Sequence, residues 1–381
     1  MPHPHPPPAG APSDGALQRF PCPKCGSEMR YAPDRRRLLC AHCGHSAAVI
    51  PAPTGPWADS AAAVVELDYQ AAIAAHSADP DMEETRVLPC GSCGAEITFE
   101  PDIHAKQCPY CASPIVTGTG LHRHIKPKGL IPFRLTEAQA HDAMRDWMGR
   151  LWFAPSGLKT HAGRARRMDG IYVPFWTYDV DTAAQYHGQR GDIHFVTRHG
   201  RGGKPRLEQR VRWRRATGRV SRAFDDILVL ASRALPKDLT DGLGPWDLTK
   251  IAPYQAAFLS GFRAEGYQLG LEDGFEAAKA IISTQIQDDI RRDIGGDLQR
   301  IDKITLRIDD VRFKHILLPI WVAAYRYRGQ AYRFVVNGQT GRVQGERPWS
   351  WIKLGLAVVL GALVLGAALY AFSVFEAKGQ P

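Results

Sequence analysis

Residues 22–44 of the chain are CPKCGSEMRYAPDRRRLLCAHCG, two Cys-x-x-Cys pairs with fourteen residues between them. A Cys-x-x-Cys turn points two thiolates at one ion, and a second turn brought back by a hairpin completes a tetrahedral site of four thiolates. Glycine follows each pair, at Gly26 and Gly44, where a backbone of positive φ is often required. The stretch therefore predicts a zinc ribbon over residues 20–48.

The same pattern recurs 68 positions later, and together the two copies use all eight cysteines. Thioredoxin-like redox motifs would not come in matched quartets, and disulfides would not persist in a reducing compartment. His42 and His45 lie in or beside the second pair and are the alternative ligands of a mixed site. We predict a second ribbon over 88–118 and two Zn²⁺ ions that organise the fold, because a closed site leaves no coordination position for substrate. The predicted ligands are Cys22, Cys25, Cys40, Cys43, Cys90, Cys93, Cys108 and Cys111.

The segments around the ribbons have simple compositions. Residues 1–19 are rich in Pro and His with little to bury, which predicts a disordered tail. Residues 49–87 form a linker that contains an Ala-rich stretch at 59–76. Asp59 or Ser60 caps this stretch, which we predict to be a helix that acts as a spacer or a docking element.

From about residue 130 to 347 the pattern indicates an α+β domain. One helix follows a capping box at Thr136 and Gln139, and a second opens near Glu272 and stops at Gly295 and Gly296. Each helix precedes a strand with a Pro-x-Trp sequence, which predicts two related halves built from a helix and antiparallel strands. The apolar stripes of the helices are Ala140, Met144, Trp147, Met148 and Leu151, and Phe275, Ala278, Ile282, Ile286 and Ile290.

The net charge of the chain, +9 from 48 basic and 39 acidic residues, resides in residues 198–222. Within this segment Val211 and Trp213 alternate with arginines, so a strand would have one packed face and one cationic face. Anionic lipid is the favoured partner of the cationic face, with nucleic-acid phosphates or a solvated face paired with Asp225 and Asp226 as alternatives. The basic residues are Arg198, Arg201, Lys204, Arg206, Arg210, Arg212, Arg214, Arg215, Arg219 and Arg222.

Residues 354–375 run for 22 positions without a charge. At ~1.5 Å per residue such a helix spans about 33 Å, against roughly 30 Å of bilayer hydrocarbon. A buried core helix is the alternative, but the length favours a transmembrane helix. Arg342, Arg347 and Lys353 precede the span, so we expect the N-terminal bulk to be cytoplasmic and residues 376–381 to cross the membrane. Small residues four apart predict self-association of the span, at Ala357 and Gly361 and at Ala362 and Gly366.

The composition and the motifs also limit the class of protein. With 44% hydrophobic residues the chain buries a real core, and eight cysteines are too few for a disulfide scaffold. The motifs GxxxxGK[ST], GxSxG, HExxH and GxGxxG are absent, so no catalytic residue is assigned. Acid pairs at 225/226, 288/289 and 309/310 are explained by exposed loop or helix positions. An unfamiliar activity of the α+β domain stays open.

Three stretches carry a family resemblance: YVPFWTYD at 172–179, GGDLQRI at 295–301, and the run from FKHILLPIW at 313–321 to the tryptophan at 349. The sequence resembles an uncharacterised bacterial family of zinc-ribbon membrane proteins over most of residues 20–353. Members often bear a label borrowed from primosomal protein N′, the replication-restart helicase, but here the likeness to the helicase stops at the cysteine motifs. The resemblance implies a scaffold at the inner membrane, near SPFH-domain and phage-shock-type envelope proteins.

The sequence thus predicts a single-pass protein of the bacterial inner membrane with a non-enzymatic adaptor or scaffold function. It would join membrane lipid to protein partners and form homo-oligomers through its membrane helix. A membrane-tethered nucleic-acid-binding protein is the alternative from another functional class.

Overall fold

A computed structural model provides the coordinates of the chain. It describes residues 20–49, 64–74, 82–89, 96–98, 105–107, 114–116, 121–153, 155, 168–199, 205–327, 330–347 and 350–378. The predicted tail at 1–19 and most of the linker at 49–87 therefore lie outside the described residues.

Strands dominate the described part of the chain. The helices are α1 (Tyr69–Ala74), α2 (Glu137–Gly149), α3 (Lys237–Asp241), α4 (Leu271–Ile294) and α5 (Trp351–Lys378), with 3-10 turns at Leu248–Lys250 and Ala256–Leu259. The strands are β1 (Met29–Ala32), β2 (Arg37–Cys40), β3 (Ser46–Ala48), β4 (Leu67–Asp68), β5 (Met82–Pro89), β6 (Glu96–Thr98), β7 (Ala105–Gln107), β8 (Pro114–Val116), β9 (Leu121–Ile125), β10 (Gly129–Leu130), β11 (Asp169–His199), β12 (Pro205–Leu230), β13 (Ala252–Pro253), β14 (Arg263–Ala264), β15 (Leu298–Tyr327), β16 (Gln330–Asn337) and β17 (Val343–Gly345).

Three very long antiparallel strands, β12, β11 and β15, lie side by side in a nine-stranded sheet whose main path has the order β12-β11-β15-β10-β13. β11 has 31 residues, about 100 Å of extended chain at ~3.3 Å per residue. Its pairing with β12 shifts register between Tyr178 and Val180, where Asp226 adopts a φ of 54°. Aspartate is among the residues that tolerate positive φ, so such a bulge is accommodated without glycine.

Helix α4 covers one face of these strands. Its predicted stripe is confirmed, since Phe275, Ala278, Ile282, Ile286 and Ile290 are all buried against the sheet. A Cβ at Gly274 would lie 2.5 Å from the Tyr178 hydroxyl, so glycine permits this close approach. The helix ends as predicted, because Gly295 and Gly296 adopt φ values of 62° and 75°.

Helix α2 begins as its sequence predicts. The Thr136 side chain accepts from the Gln139 backbone N–H, and the Gln139 side chain accepts from the Thr136 backbone N–H. Both bonds of the predicted capping box are therefore present. Ala140, Met144 and Met148 of the predicted stripe are buried.

The predicted Ala-rich helix at 59–76 is wrong over residues 64–68, whereas residues 59–63 and 75–76 lie outside the described part of the chain. Residues 64–66 have no regular structure, Leu67 and Asp68 pair with β15, and of the described residues in this stretch 69–74 are helical. The side chain of Asp68 accepts from the Ala71 backbone N–H at 2.6 Å and caps this helix. The pairing of Leu67 and Asp68 with β15 competes with helix formation in the residues before Tyr69.

The two Pro-x-Trp sequences face each other in the sheet. β11 and β15 pair so that Pro174 lies opposite Leu317 and Pro319 lies opposite Tyr172. Pro174 accepts a hydrogen bond from the Ala231 N–H at 3.0 Å, and Pro319 accepts one from the Gly338 N–H at 2.8 Å. The two prolines thus occupy equivalent hydrogen-bonding positions.

The tryptophans show the same equivalence. Trp321 Nε1 donates to the Leu135 carbonyl at 3.1 Å, two residues before α2, and Trp176 Nε1 donates to the Leu269 carbonyl at 2.9 Å, two residues before α4. Each strand therefore fixes the entry of the helix that precedes the other strand.

Candidate metal centre

Four sulfur atoms meet at one end of the small sheet β1-β2-β3. The Sγ atoms of Cys22 and Cys43 are 3.5 Å apart, as are those of Cys25 and Cys40, and all four lie within 4.8 Å of one another. These separations are far longer than a disulfide bond. Four sulfurs at ~2.3 Å from a tetrahedral Zn²⁺ would be about 3.8 Å apart, so the arrangement fits one such ion.

Two equivalent backbone turns position the thiols. The Gly26 N–H donates to the Cys22 carbonyl at 2.8 Å, and the Gly44 N–H donates to the Cys40 carbonyl at 3.0 Å. Both glycines adopt a φ of 72°, as their position after each pair predicts. Hydrogen bonds from the backbone and hydroxyl of Ser27 lower the pKa of Cys25 to about 6. This favours the thiolate, the form that binds metal.

The histidines of the alternative mixed site lie outside the sulfur group. His42 is exposed, and His45 contributes its backbone carbonyl, which accepts from the Cys40 N–H at 2.8 Å. Four thiolates are sufficient for a closed structural site, so the geometry supports the all-cysteine set.

The first ribbon shares its core with the body of the protein. Cys22 and Cys40 are buried in the same apolar cluster as Phe133 and Phe258. The Tyr31 N–H donates to the Ser260 carbonyl at 2.9 Å, and the Tyr31 ring meets Phe258 edge-on at 5.3 Å. A metal ion bound by the four thiolates would therefore support packing well beyond residues 20–48.

The second cysteine quartet lies outside the described residues, but the backbone on either side of it is described. Pro89 pairs with Glu96, as Pro21 pairs with Glu28 in the first ribbon. The backbone pairings that flank the second Cys-x-x-Cys turn of each quartet also correspond. Gln107 pairs with Pro114, as Leu39 pairs with Ser46 in the first ribbon. In both cases the residue numbers of the two copies differ by 68, as the numbers of the matched cysteines do.

The basic segment is divided between two faces of the long strands. Arg210, Arg212 and Arg214 lie opposite His194, Asp192 and Arg190 of β11 and share a face with them. Arg215 and Arg219 occupy the other face. Arg198 and Arg206 form a cross-strand pair near the hairpin end, and Arg201 and Lys204 lie outside the described residues.

Several of these arginines have acidic partners other than those expected. Arg222 makes two hydrogen bonds of 2.7 Å to Asp289 of α4, and Arg214 contacts Asp192 at 2.5 Å. The expected alternative of pairing with Asp225 and Asp226 is wrong for Asp226, which binds a lysine instead. Arg222 thus serves to hold α4 to the sheet.

Sequence reasoning missed a buried charge cluster. Lys314 Nζ lies 2.8 Å from Asp226, 3.2 Å from Glu66 and 3.4 Å from Asp179, and its side chain is 9% exposed. The expectation that the acid pairs at 225/226 and 309/310 occupy exposed loops or helices is wrong, because both lie within long strands. In the sequence, charged and apolar residues alternate along β15, but this alternation does not show which acidic residues pair with Lys314.

The Asp179, Asp225 and Asp226 carboxylates lie within 4.8 Å of one another. Such a group resembles a cation site, but the Lys314 ammonium already supplies the positive charge that it requires. The cluster therefore ties β4, through Glu66, to the centre of the sheet.

Burial raises the pKa of Asp179 to about 6. An unfolded aspartate titrates near 4, so the folded state binds this proton more tightly. The contribution of the group to stability is then present below about pH 4 and is lost as the pH rises through about 6.

We expect Asp179→Asn to raise the free energy of unfolding at pH 7.5 by about 1–2 kcal/mol and to flatten its pH dependence between about pH 4 and 6. The amide oxygen still accepts from the Asp226 N–H, as the carboxylate does. Denaturant unfolding at pH 4.5, 6 and 7.5 measures both effects. Asp181→Asn, at an exposed position of the same strand, is the control and should change neither. Destabilisation of Asp179→Asn at pH 7.5 would contradict the assignment.

Comparison with known proteins gives one informative similarity. The chain is 28% identical over 333 residues to the uncharacterized protein YdjG of Bacillus subtilis (strain 168), with 87% of this chain and 90% of YdjG covered. No protein-family model and no solved structure matches the chain. The two proteins are therefore similar over most of their lengths.

Proposed function

We propose that this chain is a non-enzymatic adaptor or scaffold, stabilised by zinc and anchored in the bacterial inner membrane by α5. The observation that carries the proposal is the exposure of an apolar helix. Residues Trp351–Tyr370 have a mean hydropathy of 2.3, and no part of the most apolar window is buried. A soluble protein seldom leaves so large an apolar surface in water, and the helix is long enough to cross a bilayer.

The charges next to α5 support a cytoplasmic orientation of the ribbons and the sheet. Arg342, Arg347 and Lys353 lie on the N-terminal side of the apolar span. The helix itself extends from Trp351 to Lys378, a few residues beyond each end of the predicted 354–375. Small residues four apart, Ala357 with Gly361 and Ala362 with Gly366, would allow two such helices to associate.

The matched backbone pairings support a second ribbon with its own ion. If Cys90, Cys93, Cys108 and Cys111 bind Zn²⁺ as the first quartet does, the native chain carries two ions. Elemental mass spectrometry of purified protein should give two zinc atoms per chain, and Cys90→Ser should reduce this number to one.

We also propose that the α+β body arose by duplication of one unit. The equivalent hydrogen bonds of Pro174 with Pro319 and of Trp176 with Trp321 support this origin.

An extended surface supports the adaptor function. The face of β12, β11 and β15 opposite α4 presents exposed polar side chains, among them Gln185, Thr217 and Thr305. A broad sheet face of this kind suits a protein partner better than a small molecule. The family resemblance suggests SPFH-type or envelope-stress assemblies as the partner class.

Photocrosslinking in cells tests the proposal. A benzoylphenylalanine at Thr305, on the uncovered face, should give discrete crosslinks to another protein in the membrane fraction. The same group at Ala280, on the outer surface of α4, is the matched control and should give none. Recovery of the chain in the soluble fraction, or equal crosslinking from both positions, would contradict the proposal.

A further inference from the structure

The long β-hairpin continues beyond the part of the sheet that α4 covers. Pairing of β11 with β15 ends at Gly191 and Leu298, whereas pairing with β12 continues to His199 and Pro205. Helix α4 ends at Ile294. Residues 191–199 and 205–213 therefore form a two-stranded projection, called the wing below, in which only Gly191 pairs with another described strand, at Leu298 of β15.

One face of the wing is apolar and exposed. Ile193 lies opposite Val211, and Gly191 lies opposite Trp213. Phe195 is 66% exposed, Leu207 is 70% exposed and Trp213 is 44% exposed. The expectation of a packed face beneath the basic segment is therefore wrong for Trp213, because no element among the described residues covers the sheet at this end.

Glycine makes room for the largest of these side chains. A Cβ at Gly191 would lie 3.0 Å from the Trp213 ring and 3.1 Å from Leu298. Leu298, itself 40% exposed, extends the apolar face onto β15. The wing thus presents one continuous apolar patch formed by Ile193, Phe195, Leu207, Val211, Trp213 and Leu298.

The opposite face of the wing is cationic. Arg210 and Arg212 lie on it, and Arg214 lies on the same face at the base of the wing. Two acids share this face: Glu208 contacts Arg198 and Arg210, and Asp192 contacts Arg190 and Arg214. Arg190 lies directly opposite Arg214, where like charges would repel, and Asp192 contacts both side chains and offsets this repulsion.

We propose that the wing binds an anionic lipid surface, with its apolar patch in the boundary between headgroups and acyl chains. This inference rests on the membrane anchorage proposed above. Aromatic and aliphatic side chains favour that boundary, and each arginine near the surface adds about 1 kcal/mol of attraction to anionic lipid. The wing is a single layer thick, so its arginines remain within a Debye length of roughly 8–10 Å of the phosphates.

A second copy of the chain fits the wing less well than lipid does. Six apolar side chains form a contact much smaller than the roughly 20–30 residues that each partner of a stable interface contributes. Pairing two wings would also bring two arginine-rich strands together. An anionic bilayer has the complementary charge and imposes no minimum area.

Photocrosslinking to lipid tests the proposal with the full chain. The chain with benzoylphenylalanine at Phe195 is reconstituted into vesicles of phosphatidylcholine with 30 mol%, or about a third, phosphatidylglycerol, and into pure phosphatidylcholine vesicles. We expect crosslinked lipid in the anionic vesicles at about ten times the yield in neutral ones. The same group at Ala280, on the outer surface of α4 and so on the opposite side of the sheet, should give little lipid product. Replacing Arg210 and Arg212 by glutamine should reduce the yield at Phe195 several-fold.

The outcomes separate this inference from the proposed anchorage. Vesicles that float with the chain but give no lipid crosslink at Phe195 would overturn the wing assignment and leave the anchor intact. A chain that does not float would overturn both. Crosslinks from Phe195 to a second copy, or to added DNA or RNA in place of lipid, would also overturn the assignment. Retention of zinc in each variant shows that the ribbon remains folded.

Discussion

Cys22→Ser is expected to release the metal from the first ribbon and to reduce the stability of the whole body. Structural zinc sites of this class bind with apparent free energies of about 10–16 kcal/mol, which compares with about 5–15 kcal/mol for the unfolding of an entire domain. Loss of one thiolate from a closed site sacrifices much of that binding energy. Because Cys22 lies in one apolar cluster with Phe133 and Phe258, disorder in the ribbon would expose the core behind it.

The measurement combines metal content with thermal unfolding of the full chain in detergent. We expect Cys22→Ser to lose one zinc atom per chain. Its unfolding midpoint should fall by at least 10 °C, which corresponds to a loss on the order of several kcal/mol in the free energy of unfolding. A chelator should have the same effect on the unmodified chain. His42→Ala alters an exposed neighbour of Cys43 and should change neither quantity. Full metal content with an unchanged midpoint in Cys22→Ser would exclude a four-cysteine site.

Lys314→Met is expected to be the most damaging single substitution within the sheet. It removes the ammonium group and leaves Glu66, Asp179 and Asp226 close together in a buried region without their counterion. Breaking a buried ion pair by removal of one partner typically costs about 3–5 kcal/mol. Although burial opposes the charge on Lys314, its ion pairs, led by Asp226, raise its pKa above the usual value. The side chain is therefore fully charged at neutral pH.

Acid should partly rescue this variant. Without the lysine, the crowded carboxylates bind protons more readily in the folded than in the unfolded chain, so stability increases as the pH falls. Denaturant unfolding at pH 7.5 and pH 5 measures the effect. Arg307→Met is the control, because Arg307 is 78% exposed and pairs with Asp309 at the surface. We expect it to change stability by no more than about 0.5 kcal/mol. A loss for Lys314→Met that is equal at both pH values would contradict the role of the cluster.

Local sequence signals predicted the elements whose causes are local. The cysteine spacing and Gly26 and Gly44 defined the first ribbon, and the capping box at Thr136 defined the start of α2. The 3.6-residue period from Phe275 to Ile290 defined α4. Each of these patterns lies within a few turns or one hairpin of the chain, so no tertiary contact has to be known.

Long-range pairing accounts for what the sequence did not predict. Glu66 and Lys314 are 248 positions apart, and only the register of β4, β11, β12 and β15 brings the charge cluster together. The length of β11 was missed for a related reason. In its distal part only Ile193 and Phe195 alternate with polar residues, which is too short a pattern to show that one strand runs from Asp169 to His199.

The register of β11 against β15 runs from Asp169 and Val322 to Gly191 and Leu298, which corresponds to about 70 Å of strand. The root of α5 lies near the first of these pairs, because β17 joins β16 beside Ala323. The three strands therefore form a rigid connection of fixed length between α5 and the wing. If α5 and the wing both bind the bilayer, as proposed, the chain would have an elongated footprint and would keep neighbouring molecules at a defined spacing.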